Sequence, residues 1–228
     1  MPQRKIGVII ADVDEFTPFA ATVKGARRVE TPFKDALTFS AFGAQVTALL
    51  CGMGKVNAAA GTMYLIDSGY DMIISMGFSG GLSGVRRGDF VLPERFMEHD
   101  FDLTPIGYKP CEKPGQNYIY AADAKLIGAI AAAGVAKASG TAVCGDRFIS
   151  DDKSRDFLVN NFSASTCDME TAAVASVCDI TKTPFVALRR ISDDAGDSAA
   201  ESYEDMNDKR DRSLSEVFLE CLKIICEA

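Results

Sequence analysis

The chain has 228 residues, 47% of them apolar and 14 of them Phe, enough for a substantial buried core. Its formal charge of −8 argues against a nucleic-acid binder, because phosphate affinity needs clustered Lys and Arg, and only Lys24, Arg27 and Arg28 group together. Its opening apolar run is short for a secretion signal, no later one is long enough for a bilayer span, and the seven cysteines form no C-x-x-C pair. A single soluble, cytoplasmic domain over residues 1–228 with free, buried thiols is therefore expected, with no membrane or nucleic-acid partner.

In chain order, Lys5–Ala11 is a β-branched run that predicts a buried first strand, followed by an acidic turn at Asp12–Glu15. Strands are expected at Ala36–Phe42 and Gln45–Leu50, split by a hairpin turn at Gly43-Ala44. An Ala-rich helix follows over Val56–Ser68, then a buried strand at Asp71–Met76 that ends in a glycine turn, Gly77–Gly81. Arg87–Leu92 and Glu94–Glu98 read as two strands, and the stretch from Asp100 to Tyr118 as irregular. Ala121–Ala133 predicts a helix, Gly140–Cys144 a strand, and Asp151 or Asp152 a cap for a helix reaching Asn160. The remaining expectations are an extended Ser165–Cys167, a helix Thr171–Ile180, a buried strand Phe185–Ile191 and one amphipathic helix over Glu204–Cys226.

Strands alternating with helices imply an α/β layout with much parallel pairing, in which ligands bind at the carboxyl ends of the strands. Glu15, Glu170 and Asp193 each lie just beyond an apolar run, so one cleft could gather all three carboxylates. A helix cap or first-turn acid explains each of them equally well, because the helix dipole favours a carboxylate there. The glycine runs lack both the dinucleotide and the P-loop spacing. His99, Asp100 and Asp102 have metal-ligand residue types, but the chain's lone imidazole makes no metal set, and no metal or cofactor is expected.

Taken in order, KIGVIIADVDE, GMGKVNAAAGTMYLI, GFSGGL, HDFDLTPIGY, GDRFISDD, DMETAAVASVC and RRISDDA resemble the methylthioadenosine/S-adenosylhomocysteine nucleosidases of the nucleoside phosphorylase/hydrolase superfamily, almost end to end. The resemblance implies a three-layer α/β/α fold around a mixed, partly closed sheet, a homodimer, and hydrolysis of the N-glycosidic bond of a 5′-modified adenine nucleoside. It implies Asp193 as the acid that protonates purine N7 and Glu15 as the base that activates water. Glu170 would hold the ribose hydroxyls, Phe148 would stack on adenine and the Ile149 backbone would read its edge. Met53, Leu103, Ile106, Tyr108, Met169 and Tyr203 would line the ribose and 5′-group, with Leu103 and Ile106 supplied by the partner subunit. Arg189 would support the Asp193 loop.

Two positions depart from that pattern. Phe78 stands where a small hydroxyl residue usually bonds the acid, so Ser79 must substitute or Asp193 must be oriented otherwise. Asp12 replaces an apolar residue near the 5′-pocket, which suits a polar or cationic substituent; the alternative is a helix cap. A phosphorylase of the same fold and a non-catalytic nucleoside-binding protein are the competing readings. The strand before the glycine turn carries no cation for phosphate, which favours water.

Overall fold

The computed structural model describes residues 3–204 and 212–228. Strand β1 (Lys5–Ile10) lies at the centre of a mixed sheet, parallel to β4 (Ala44–Leu50) on one side and to β5 (Met72–Gly81) on the other. On the β4 side the sheet continues through antiparallel β3 (Asp35–Ala41) to the short β2 (Arg27–Arg28). The β3–β4 connection is the expected hairpin, displaced by one residue. Phe42 and Gly43 form its tip, both at positive φ, as a two-residue turn matched to strand twist requires.

On the other side the sheet closes on itself. Strand β5 pairs with β10 (Phe185–Asp193) and with β9 (Ala164–Asp168). Strand β10 leads to β6 (Phe90–Glu98), and β6 leads through β8 (Lys137–Cys144) back to β9. A two-residue strand, β7 (Tyr120–Ala121), also pairs with β6. This closed ring with an open wing is the mixed, partly closed sheet.

Because side chains alternate along a strand, Ile6, Val8 and Ile10 of β1 face one layer and Ile9 the other. The first layer packs Phe16 and Phe19 of α1 (Val13–Thr22) and Ile130 of α3 (Ala124–Ala132) with Val217, Phe218, Leu222 and Ile225 of α7 (Leu214–Glu227). The second packs Ala58 and Leu65 of α2 (Lys55–Asp67) against the sheet and the Ala-rich face of α5 (Thr171–Thr181). A third cluster joins Leu158 and Phe162 of α4 (Asp152–Phe162) to Val143 and Cys167. Six of the seven cysteines are buried as free thiols and Cys226 is half-buried. Among the described residues no helix is long and apolar enough to cross a membrane.

Several expected boundaries are corrected. Asp12–Glu15 is the capped start of α1, not a turn. Gly77–Gly81 continues β5 as strand, because its backbone is paired with β10 and β9 on its two edges. The two strands expected around Pro93 are one. Pro93 falls in the gap between the pairing of β6 with β10, at Phe90 and Val91, and that with β7, at Arg95 and Phe96, an edge that tolerates a missing N–H. The single helix expected over Glu204–Cys226 is interrupted. A short α6 (Ala199–Glu204) precedes it, residues 205–211 lie outside the described residues, and extended Ser213 caps α7 in a capping box with Glu216.

Candidate active site

The carboxyl ends of β1, β5, β9 and β10 surround one cavity of about 530 Å³. Of the residues singled out in the sequence, Glu15, Met53, Phe78, Ser79, Phe148, Ile149, Met169, Glu170, Asp193 and Tyr203 line it. Leu103, Ile106, Tyr108 and Arg189 do not.

Glu15 reaches the cavity from the first turn of α1. Asp12 caps that helix by accepting from Asp14 N at 3.1 Å, and Glu15 answers by accepting from Asp12 N at 3.4 Å. The other oxygen of Glu15 accepts from Phe78 N at 2.6 Å. The carboxylate lies flat on Gly77, where an added Cβ would stand 2.7 Å from Oε1, so only glycine allows this approach. The N3 member of the capping box and the candidate base are thus the same residue. Burial dominates its ionisation and pushes its pKa up to about 8, against the lowering effects of the Phe78 amide and Arg189.

Glu170 stands at the start of α5 without capping it. Asp168 takes that task, accepting from Glu170 N at 3.1 Å and Thr171 N at 2.9 Å. Glu170 is left to accept from Gly54 N at 2.7 Å, and burial with the neighbouring Asp168 charge raises its pKa to about 7.

Asp193 ends β10 just after a register shift against β5, an irregularity of the kind that re-aims a side chain. It is 3% exposed, and burial raises its pKa. Its Oδ2 accepts from Ser192 Oγ at 2.7 Å and its Oδ1 from Ala195 N at 2.8 Å. The hydroxyl missing at Phe78 is therefore supplied by the adjacent residue of the same strand. Ser79 does not substitute: its hydroxyl points to Asp168 at 3.4 Å.

Arg189 also departs from expectation. Its guanidinium turns away from the Asp193 loop and binds Asp168 at 3.2 Å, Thr171 Oγ1 at 2.7 Å and Ser75 Oγ at 2.7 Å. Both partners of this ion pair are only 3% exposed. Removing one partner of such a pair strands the other charge in the interior. Arg189→Met is accordingly expected to lower unfolding free energy by about 3–5 kcal/mol, measured by denaturant titration. Unchanged stability would mean that Thr171 and the backbone amides suffice to hold Asp168.

Aromatic rings form the remaining wall. Tyr203, on α6, meets Phe148 edge-on at 5.7 Å and Phe78 at 6.4 Å, and its hydroxyl donates to Asp12 Oδ2 at 3.1 Å. Asp12, 9% exposed, also lines the cavity, so capping and cavity lining coexist in one side chain. Leu103, Ile106 and Tyr108 lie instead on and beside an exposed 3₁₀ turn, with Ile106 70% exposed. His99 is half-buried, its Nε2 without a hydrogen-bond partner and close to Gly145.

The contributions of Asp168 and Ser192 escaped sequence reading. An Asp two residues before a candidate ligand at a helix start, and a Ser beside a candidate acid, are the available signals; neither says which way the side chain turns.

The chain and its fold have close counterparts. Residues 5–225 match the model of the phosphorylase superfamily. A 5′-methylthioadenosine/S-adenosylhomocysteine nucleosidase of Geobacillus kaustophilus is 36% identical over 191 residues, 80% of this chain and 81% of that protein. The Bacillus subtilis protein of the same description is 34% identical over 97% of this chain and 99% of its own length. The crystal structure of the Neisseria meningitidis nucleosidase in complex with methylthio-immucillin-A superposes with a TM-score of 0.85 at 28% identity, covering 98% of this chain and 97% of that one. The chain belongs to the phosphorylase superfamily and, within it, to the 5′-methylthioadenosine/S-adenosylhomocysteine nucleosidase family.

Proposed function

We propose that this protein hydrolyses the N-glycosidic bond of a 5′-modified adenine nucleoside and releases adenine. The observation that carries the reading is one cavity walled by Glu15, Glu170 and Asp193, each with a raised pKa. Breaking the bond between the anomeric carbon and purine nitrogen leaves an oxocarbenium-like ribosyl and a poor leaving group. An acid for the purine and carboxylates for the cation are what that reaction needs.

In this reading Asp193 protonates purine N7 as the bond electrons pass to the base. Glu15 takes a proton from the water whose oxygen bonds the anomeric carbon. The raised pKa of Glu15 does not oppose this, because a cationic ribosyl beside it favours its ionised form. Glu170 accepts from the ribose hydroxyls, at about 1.5–3 kcal/mol for each charge-assisted bond. Phe148 stacks on the purine, the Ile149 backbone reads its edge, and Met53, Met169 and Tyr203 border the ribose and 5′-group. Arg189 acts from beneath by fixing Asp168.

The same reading takes a homodimer as the working unit. Met53, just before α2, and Val56 and Met63 on it are exposed apolar side chains, and Ile106 and Tyr108 are exposed on the 103–108 segment. Lys55, at the start of α2, is paired to Asp100 beside that segment at 2.5 Å. A second subunit covering both would bring Leu103, Ile106 and Tyr108 to its partner's cavity.

Water rather than phosphate is the acceptor in this proposal. Among the described lining residues the one cation is Arg147, whose side chain is 64% exposed and paired with Asp151 at 3.1 Å. The test is adenine release from methylthioadenosine and S-adenosylhomocysteine with and without inorganic phosphate, with identification of the sugar. Free methylthioribose from the first and S-ribosylhomocysteine from the second, at phosphate-independent rates, are expected. Phosphate dependence with a sugar 1-phosphate product would make the enzyme a phosphorylase.

A further inference from the structure

Asp12 takes no part in the chemistry above, yet its carboxylate lines the same cavity. Its carboxylate accepts from Asp14 N, from the Glu15 amide of the capping box and from Tyr203 OH, which leaves about one of the four acceptor positions that a carboxylate offers. Capping α1 does not require a charge, since Asn caps as well as Asp. What needs explaining is a carboxylate set beside two aromatic rings in the cavity wall.

Its surroundings answer that. Tyr203 holds its hydroxyl on Asp12 and sets its ring at 79° to that of Phe78, and both rings line the cavity. A carboxylate beside two aromatic rings is suited to a desolvated cation, which gains a charge-assisted bond from the first and quadrupole attraction from the others. The nearby basic groups do not satisfy it. Arg189 is spent on Asp168 beneath the floor, and Arg147 is held by Asp151.

We infer that Asp12, with Tyr203 and Phe78, selects nucleosides whose 5′-substituent carries a positive charge. The inference rests on the hydrolase reading above, which puts the base at Phe148 and Asp193 and the ribose at Glu170, leaving the wall at the start of α1 for the 5′-end. A neutral thioether facing Asp12 strips water from the carboxylate and returns nothing. An ammonium in the same place replaces that water with an ion pair.

The test compares methylthioadenosine with 5′-deoxy-5′-(methylamino)adenosine, which differs by one protonated nitrogen for sulfur. S-adenosyl-3-thiopropylamine places the ammonium further out. At pH 7 the wild type is expected to favour at least one amine over methylthioadenosine by about tenfold or more in kcat/KM, the worth of one charge-assisted bond. Asp12→Asn keeps the helix cap and removes only the charge, and is expected to bring that ratio close to one. Calorimetric Kd values for the same nucleosides, in wild type and Asp12→Asn, should move in parallel. An equal ratio in the two proteins, or a thioether preference that survives the substitution, overturns the inference. Absence of adenine release from every nucleoside would overturn the hydrolase reading instead, while the calorimetric ratio still decides the role of Asp12.

Discussion

Asp193→Asn is expected to lower kcat by about 10²–10⁴-fold while leaving the melting temperature nearly unchanged. The fold should tolerate it because both contacts of Asp193 have amide equivalents. An Asn carbonyl can accept from Ala195 N, as Asp193 Oδ1 does at 2.8 Å. The Asn nitrogen can donate to Ser192 Oγ, whose own hydrogen can turn to Ser79 O, 3.3 Å away. The amide cannot release a proton to the purine, so the leaving group must depart as an anion. Substrates with an acidified leaving base should lose least, since they need protonation least. Thermal melts, kcat and a leaving-group series together check this. Near-normal turnover in a folded variant would remove Asp193 as the proton donor.

Much of the fold could be read from periodicity. The first strand, the Ala-rich helix and the β3–β4 hairpin follow from runs of one residue character bounded by glycine or polar turns. What periodicity could not show was pairing between distant segments. Gly77–Gly81 has a turn's composition but is strand, because β10 and β9 hydrogen-bond its edges. Pro93 reads as a break and is absorbed by a local gap in pairing.

At the site the same division holds. The sequence offered cap or catalyst as rival readings of Glu15 and Glu170. For Glu15 the two roles share one carboxylate, because a capping box uses one oxygen and leaves the other for Phe78 and the cavity. For Glu170 the cap is delegated to Asp168. The direction of Arg189 was not legible at all. Its neighbours in sequence point to Asp193, while its partners Asp168, Thr171 and Ser75 come from other elements.

Glu15→Gln should separate chemistry from binding. The side chain can still accept from Phe78 N, and the purine and diol contacts proposed for Phe148, Ile149 and Glu170 lie elsewhere. Hydrolysis is expected to fall by about 10²–10⁴-fold, with nucleoside Kd within a few-fold of wild type. Charge, not shape, is what the substitution removes, so two pH effects should vanish with it. A base must be ionised to take a proton from water, and in the free protein Glu15 ionises at about 8. The kcat/KM of the wild type should therefore climb with pH toward about 8, and this limb should be absent from whatever activity the Gln variant retains. Stability should move the opposite way. The folded pKa of about 8 lies above the ordinary 4.5, so between those values the native state holds a proton that the unfolded chain has released. That contribution is fully present at low pH and is lost as pH rises through about 8, so the wild type should lose melting temperature relative to Gln across this range. Glu170, raised to about 7, titrates in both proteins, and its charge coupling to Glu15 is part of the difference. A loss of affinity as large as the loss of rate would instead make Glu15 a binding residue, and the attacking water would then need a different base.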